Sequence, residues 1–294
     1  MIKVSSPVVG AEELAAVQSA FDLGYFGQGS KVMEFENALG AYLGANQVVA
    51  VNTGTAALHL ALLALGIGPG DEVLVPSLTF VACFQMIAAT GARPVPCEVY
   101  PDTLLLDLED AAGKITANTK ALMPVHYAGN PGNLDKVYQL AKQQGLRVIE
   151  DAAHALGSTY NGQLIGSFGE MVCFSFDSIK NITCGEGGAV VCADPNLAEK
   201  IRQMRLLGIV REGHADPGQM RRWFYGVKQP GFRYHMSNIN AAIGLAQLAK
   251  LPGFIARRQQ IARRYDEALA AMAGLELLRV DYTTVAPHIY VVRG

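Results

Sequence analysis

The chain has 294 residues, of which 50% are hydrophobic and 17% are charged, and its formal net charge is −2. A chain of this length can form one large domain, or a large domain with a small one. The nearly neutral balance and the lack of a Lys or Arg block argue against a nucleic-acid or membrane-surface partner. The apolar residues occur in many short runs, so we expect no segment that spans a bilayer.

The five cysteines are odd in number and show no C-x-x-C spacing. This favours reduced thiols over a disulfide framework or a zinc site. The first residues, MIKVSSPVVGAEEL, lack a basic region followed by an apolar segment, so we expect no secretory signal. These features predict a cytoplasmic protein without a metal centre.

Short runs that favour strands alternate with patterns that favour helices along most of the chain. This alternation predicts βα units in a mostly parallel sheet with helices on both faces. The last two strands lie too close together for a crossover, so we expect a direct β–β connection there. The predicted strands are residues 47–52, 71–77, 93–99, 120–127, 147–153, 171–176 and 187–193, and the predicted helices between them are 53–66, 81–91, 108–116 and 134–145.

The pattern changes after the last predicted strand. Residues 211–232 are rich in Gly, Pro and charge and contain the only Trp, which predicts a long excursion. Helical periodicity returns at 237–272, and the residues that follow suggest strands of a second subdomain. We place the domain boundary near Pro252, which predicts a large domain at 1–252 and the beginning of a small α+β domain at 253–294.

Polar residues follow several of the predicted strands, and ligands of parallel sheets collect at the carboxyl ends of the strands. Gly54, Thr55 and Ala56 begin a helix directly after the strand at 47–52. The free N–H groups at such a helix start form an anion site. The alternative is a simple helix cap at Thr53, and this segment alone supports both interpretations.

Asp151 ends the apolar run at 147–151, with Glu150 beside it. A carboxylate at the end of a buried strand needs a partner, and in a cofactor site it can keep a pyridinium nitrogen protonated. The alternative is a helix cap or a surface acid. His154 can face the same site or be a structural histidine, and Phe80 can stack on a planar ring or pack in the core.

Lys180 follows the run FSFDSI and precedes a stretch with Gly185, Gly187 and Gly188. Lysine usually stays solvated, and partial burial would lower the pKa of its amine and make it nucleophilic towards an aldehyde. The glycines let the backbone pass close to a cofactor or form a tight hairpin. The alternative is an exposed loop lysine.

Together these segments resemble the signatures of the DegT/DnrJ/EryC1/StrS sugar aminotransferases. The resemblance rests on motifs that match the family in order and spacing, and it extends from about the N-terminus to Gly294. Residues 125–131, 174–188 and 236–248 are most similar to members that aminate a UDP-4-keto-pentose for lipid A modification, in lipopolysaccharide biosynthesis. The motifs are TGTAALHLAL (53–62), GDEVLVPSLTFVA (70–82), EDAAHALG (150–157) and FSFDSIKNITCGEGGAVV (174–191).

The resemblance implies the fold-type-I architecture of pyridoxal-phosphate enzymes and a homodimer whose subunits share the active site. It implies pyridoxal 5'-phosphate joined to Lys180 as a Schiff base, and amino transfer from L-glutamate to a nucleotide-linked keto-sugar. Carried over by position, Asp151 would pair with the ring nitrogen and Phe80 would stack on one ring face. His154 would lie near the ring and its 3-hydroxyl. The phosphate would be held by Gly54, Thr55, Ala56 and Ser175.

The chain departs from the family in three places. Asp177 stands where many members have His or Tyr. The segment at 231–237 matches the stretch that reaches the neighbouring subunit's phosphate, and here Arg233 and His235 are the candidates. Members also continue beyond Gly294 with a His-containing segment that shapes the substrate site, so we expect either a fragment or a shortened, impaired protein.

Two alternatives to a UDP-4-keto-pentose aminotransferase are open. One is an aminotransferase for another UDP- or dTDP-linked keto-hexose, with the nucleotide and sugar bound by loops such as GYFGQGS (24–30). The other is a truncated homologue that binds pyridoxal phosphate without catalysis. A sugar deoxygenase of the same family has His in place of the Schiff-base lysine, so Lys180 argues against that activity.

Overall fold

The computed structural model describes residues 5–210 and 225–294, so most of the predicted excursion at 211–232 lies outside the described residues. The helices are α1 (Ala11–Asp22), α2 (Ser30–Leu43), α3 (Gly54–Ala64), α4 (Ala82–Ala89), α5 (Leu108–Gly113), α6 (Leu134–Gln144), α7 (Pro195–Met204) and α8 (Asn238–Leu269). The strands are β1 (Val48–Val51), β2 (Glu72–Pro76), β3 (Arg93–Cys97), β4 (Thr119–Leu122), β5 (Arg147–Asp151), β6 (Thr159–Tyr160), β7 (Gln163–Leu164), β8 (Met171–Ser175), β9 (Gly188–Cys192), β10 (Ile209–Val210), β11 (Gly226–Val227), β12 (Glu276–Leu277) and β13 (Val292–Arg293).

The central sheet has seven strands in the order β1-β9-β8-β5-β4-β2-β3. β5 pairs in parallel with β8 and β4, and β2 pairs in parallel with β4 and β3. Within this sheet β9 runs antiparallel to both of its neighbours, β1 and β8. The predicted α/β class with a mostly parallel sheet is therefore confirmed, and so is the direct connection between β8 and β9.

The sheet is covered by helices on both faces, as its largely apolar inner strands require. Every residue of β1 and β2 is buried. On one face α3 buries almost its whole length, including Leu58 and Leu60. On the other face Phe35 of α2 meets Phe176 edge to face, with ring centroids 5.3 Å apart. This core on both faces holds the carboxyl ends of the parallel strands in place.

β4 is shorter than the strand predicted at 120–127, because it ends at Leu122. Pro124 has no N–H to continue the ladder. Its carbonyl instead accepts a hydrogen bond from the Asp151 N–H at 2.9 Å. The chain then enters a 3-10 turn, where Ala128 has a left-handed φ of 56°. The end of β4 is thus tied to the residue that ends β5.

α8 is continuous and contains Pro252, so the predicted boundary falls inside a helix. The division into 1–252 and 253–294 stays a prediction. α8 packs against α1 and α2, and its buried residues lie mostly before Pro252. By length and composition alone, an 18-residue window of α8 is apolar enough to cross a membrane, although the sequence suggested only short apolar runs. Of that window, 33% is buried inside the protein.

Candidate active site

Lys180 lies half-buried in the turn that follows β8. Its backbone N–H donates to the Asp177 carbonyl at 3.1 Å, which closes the turn locally. Burial lowers the pKa of the Lys180 amine, and the carboxylates of Asp151 and Asp177 oppose this shift. Compared with a solvated lysine, a larger share of this amine is therefore neutral and nucleophilic near neutral pH.

Asp151 lies at the carboxyl end of β5 with only 5% of its surface exposed. Its Oδ2 accepts a hydrogen bond from the Cys83 thiol at 3.0 Å, and its Oδ1 accepts one from the Ala153 N–H at 3.0 Å. Burial and the neighbouring carboxylate raise the pKa of Cys83, so the thiol stays protonated and donates. Among the described residues Asp151 has no ion-pair partner, which leaves its negative charge for a bound cationic group.

The two neighbouring acids of β5 have different environments. Glu150 is completely buried and accepts a hydrogen bond from the Tyr138 hydroxyl at 2.5 Å. His126 Nε2 lies 2.8 Å from the other oxygen of Glu150. Because successive side chains of a strand point to opposite faces, Glu150 is used inside the protein and Asp151 is the acid that remains for the site.

The start of α3 combines the two interpretations of the Gly54 segment. The Thr53 hydroxyl accepts a hydrogen bond from the Ala56 N–H at 3.0 Å, so the predicted cap is present. The N–H groups of Gly54 and Thr55 have no acceptor within the helix. A Cβ on Gly54 would lie 2.7 Å from the Cβ of Ser175, so the end of β8 lies directly against this helix start. Binding of a phosphate by these residues and by Ala56 stays a prediction.

Gly188 explains part of the glycine-rich stretch. A Cβ on Gly188 would lie 2.4 Å from the Thr53 carbonyl oxygen and 2.7 Å from the Gly54 nitrogen. Only a residue without a side chain therefore lets β9 pass the turn between β1 and α3. The glycine at this position therefore allows the backbone of β9 to lie close to the backbone of Thr53 and Gly54.

The segment at 231–237 runs along the end of β1 in the same chain. The Asn52 N–H donates to the Tyr234 carbonyl at 2.7 Å, and His235 forms a bridge with Val51. Burial lowers the pKa of His235, and the charges of Arg233 and Arg205 lower it further. Arg233 is exposed. Which of Arg233 and His235 reaches the phosphate bound by a partner stays a prediction.

His288 was missed by the sequence analysis. Its ring centroid lies 4.3 Å from that of His154, although the two residues belong to distant segments. Burial lowers the pKa of both imidazoles, and the charge of Lys180 lowers both further. These effects place His154, His288 and Lys180 in one neighbourhood. The only sequence signal was a lone His in an apolar segment, which is ordinarily structural.

Phe80 lies at the turn before α4 and is 70% exposed, so it does not pack in the core. Its ring is free to stack on a ligand, and this role stays a prediction.

A cavity of about 610 Å³ opens beside Lys180. Arg257, Arg258 and His288 contribute to its lining, which includes no Asp or Glu from the described residues. Such a lining favours anionic ligands.

The described residues fit pyridoxal phosphate. A buried carboxylate without a cationic partner suits a protonated ring nitrogen, and a helix start with unpaired N–H groups suits a phosphate. An amine with a lowered pKa suits a Schiff base with an aldehyde. No group of three or more His, Cys, Asp or Glu residues in the described part of the chain is arranged to hold a metal ion.

Comparison with known proteins agrees with this geometry. The sequence model of the DegT/DnrJ/EryC1/StrS aminotransferase family matches residues 7–293. The aminotransferase TlmJ from Streptoalloteichus hindustanus is 38% identical, with 99% of this chain and 78% of that chain covered and a TM-score of 0.92. The sugar aminotransferase CalS13 from Micromonospora echinospora is 34% identical, with 99% and 80% covered and a TM-score of 0.90. Spr1654 from Streptococcus pneumoniae, in its PLP form, is 31% identical, with 99% and 78% covered and a TM-score of 0.91.

Proposed function

The chain belongs to the DegT/DnrJ/EryC1/StrS aminotransferase family, and from this premise we propose that it transfers an amino group from L-glutamate to a nucleotide-linked 4-keto-sugar. Membership confirms the fold-type-I architecture and pyridoxal 5'-phosphate as cofactor, and it places the chain among the sugar aminotransferases. The observation that carries the finer proposal is the half-buried Lys180 amine, which shares one neighbourhood with the buried carboxylate of Asp151.

When bound, pyridoxal phosphate supplies an electron sink and a carrier for the amino group. We assign Lys180 as its Schiff-base residue and Asp151 as the hydrogen-bond acceptor that would keep its ring nitrogen protonated. Phe80 would cover one ring face, and His154 would lie near the 3-hydroxyl. The phosphate would be held by Gly54, Thr55, Ala56 and Ser175, with His235 as the candidate from the segment at 231–237.

The protein's own groups are suited to proton transfer. Lys180 Nζ has a lowered pKa, so once released from the Schiff base it would take a proton from Cα of the amino donor and deliver it to the cofactor carbon that carries the nitrogen. His154 and His288 have lowered pKa values because they are buried, so both stay neutral near Lys180. Two neutral imidazoles add no positive charge beside the amine, so burial is the main cause of its lowered pKa.

We take a UDP-4-keto-pentose as the first candidate for the acceptor, with a role in lipid A modification and lipopolysaccharide biosynthesis. The support is the similarity of residues 125–131, 174–188 and 236–248 to the family members with that activity. The cavity beside Lys180 suits the anionic diphosphate of any nucleotide sugar, so another UDP- or dTDP-linked keto-hexose is the alternative.

A cytoplasmic homodimer with a shared active site completes the proposal. All five cysteines are unpaired and buried, which suits a reducing compartment. Large apolar side chains near the amino end are exposed, among them Phe21 at 48%, Tyr25 at 58% and Phe26 at 49%. A surface of this kind is typical of protein–protein contact.

The decisive experiment combines trapping and turnover. Borohydride reduction of the protein with bound pyridoxal phosphate should fix a pyridoxyl group on the peptide that contains Lys180, as read by mass spectrometry. Lys180→Ala should lose this adduct and the transfer of nitrogen from L-glutamate. Lys136→Ala, which changes an exposed lysine of α6, should keep both. An adduct that forms equally well in Lys180→Ala would refute the assignment.

A panel of UDP- and dTDP-linked 4-keto-sugars, each tested with L-glutamate, decides the acceptor. We expect the UDP-4-keto-pentose to have the highest kcat/KM. A higher value for a keto-hexose would support the alternative acceptor. If the protein carries the Lys180 adduct but aminates none of these sugars and forms no 2-oxoglutarate from L-glutamate, it is the non-catalytic homologue.

A further inference from the structure

The second half of α8 holds the segment at 282–288 through side chains that donate to backbone carbonyls. Arg263 donates to the Tyr282 carbonyl at 3.1 Å, and Gln259 donates to the Val285 carbonyl at 3.0 Å. Arg258 donates through Nη1 to the His288 carbonyl at 2.8 Å and to the Pro287 carbonyl at 3.3 Å. All three side chains therefore stabilise one segment.

Arg258 differs from the other two because it also reaches the turn of Lys180. Its Nη2 donates to the Lys180 carbonyl at 3.5 Å, the longest of its three contacts. A guanidinium presents its N–H groups in a rigid planar fork, so one side chain can bind two strands of backbone at once. Arg258 thus joins the Lys180 turn to residues 287–288.

The charge of Arg258 has no carboxylate partner among the described residues. Burial lowers the pKa of its guanidinium, so placing this cation in the protein is costly. In the described structure its partners are backbone carbonyls of two segments that are distant in sequence. A half-buried cation with such partners holds two backbone segments in position.

Both segments carry groups of the candidate site. One contains Lys180, and the other contains His288, whose ring lies 4.3 Å from the ring of His154. A second contact joins the same two segments, because Asn181 donates to the Ala286 carbonyl at 3.3 Å. Asn181 also donates to the Leu156 carbonyl at 2.9 Å, close to His154 in the chain. The Lys180 turn is therefore held from two sides.

We propose that Arg258 is a positioning residue that locks the Lys180 turn against residues 287–288, and so keeps the Lys180 amine shielded from water and aligned with His288. The proposal rests on the proposed function in that Lys180 is taken as the Schiff-base residue. Arg258 acts through the positions of other groups and does not itself touch the reacting atoms.

The test compares four variants of the full chain. Arg258→Met removes the charge and the fork, whereas Arg258→Lys keeps the charge but cannot bind both segments with one ammonium group. Arg263→Met removes a contact to the same segment that does not involve Lys180. Arg264→Met is the control, because it removes the charge of an exposed residue of α8 that does not line the cavity. Urea unfolding of each variant first establishes that it is folded.

The first readout is the pH dependence of acetic anhydride labelling at Lys180 in cofactor-free protein, measured by peptide mass spectrometry. Burial is the main cause of the lowered pKa of Lys180, so a looser turn should move the labelling midpoint upward, by roughly half a pH unit. We expect this shift in both Arg258 variants. Asp151 and Asp177, whose charges also act on Lys180, are unchanged in all variants.

The second readout is the dissociation constant of pyridoxal phosphate, which should rise roughly tenfold in both Arg258 variants, as for loss of a hydrogen bond from a charged donor. Wild-type behaviour of Arg258→Lys would overturn the proposal, because charge alone would then suffice. An equal midpoint shift in Arg263→Met would also overturn it. The labelling result does not depend on catalysis, so failure of the Lys180→Ala test would refute the proposed function separately.

Discussion

Substitution of Gly188 by Ala tests whether the backbone passage between β9 and the start of α3 sets the geometry of the predicted phosphate site. The added Cβ would lie 2.4 Å from the Thr53 carbonyl oxygen, 2.5 Å from the Thr53 carbonyl carbon and 2.7 Å from the Gly54 nitrogen. All three atoms belong to the backbone, so no side chain can rotate to make room. β9 must move away from the helix start, or the helix start must shift.

The cost follows from this overlap. Insertion of one methyl group into a well-packed region destabilises a protein by about 1–3 kcal/mol. If the N–H groups of Gly54 and Thr55 shift with the turn, each hydrogen bond to a bound phosphate weakens as well. We therefore expect a lower free energy of unfolding and a dissociation constant for pyridoxal phosphate raised by at least about tenfold.

Urea unfolding of the cofactor-free protein and a fluorescence titration with pyridoxal phosphate measure the two effects. Gly253→Ala is the matched control, because a Cβ at this position in α8 meets no atom within 4 Å. Alanine in a helix is favoured over glycine, so the control should gain about 0.5–1 kcal/mol. Wild-type stability and affinity in Gly188→Ala would refute the reasoning from close approach.

Two further predictions concern buried titratable groups. Burial lowers the pKa of His288 to about 3, so the folded protein keeps this imidazole neutral, whereas the unfolded chain takes up a proton below pH 6.5. The contribution of His288 to stability is therefore full above pH 6.5. It is lost as the pH falls, at about 1.4 kcal/mol per pH unit. His288→Gln should reduce the slope of urea stability against pH below 6.5, while His154 keeps its own contribution. An unchanged slope would contradict this. Cys83→Ala removes the donor to Asp151 Oδ2 and should lower the free energy of unfolding by about 1–3 kcal/mol. Cys83→Ser keeps a donor and should lose less stability. Equal losses of the two variants in urea unfolding would count against the hydrogen bond.

The sequence pattern predicted the architecture well because the apolar residues within each strand indicate that the strand is buried. β2 and β5 occur where short apolar runs predicted them, since the middle of a strand covered on both faces must be apolar. β4 is the exception, because Pro124 ends the ladder within an otherwise apolar run. α8 also differs, since Pro252 lies inside it and not between two elements.

Some features of the candidate site could likewise be predicted from the sequence, and others could not. Asp151 and Gly54 could be found from the sequence, because each marks the end of a strand or the start of a helix, and such positions are set by neighbouring residues. Lys180 stood out through its apolar flanks and the glycines that follow. What the pattern could not decide was whether Glu150 or Asp151 faces the site, since that choice depends on which face of β5 is filled by Tyr138 and His126.

The sequence by itself therefore determined the βα order of the chain, the strand ends that carry polar groups and the family to which it belongs. Only the tertiary structure decided which distant residues act together. The Cys83 thiol lies 68 residues from the carboxylate that it binds, and Arg258 lies 78 residues from the Lys180 carbonyl. Periodicity and capping reflect interactions within a few residues, whereas these contacts exist only because the sheet and α8 bring remote segments together.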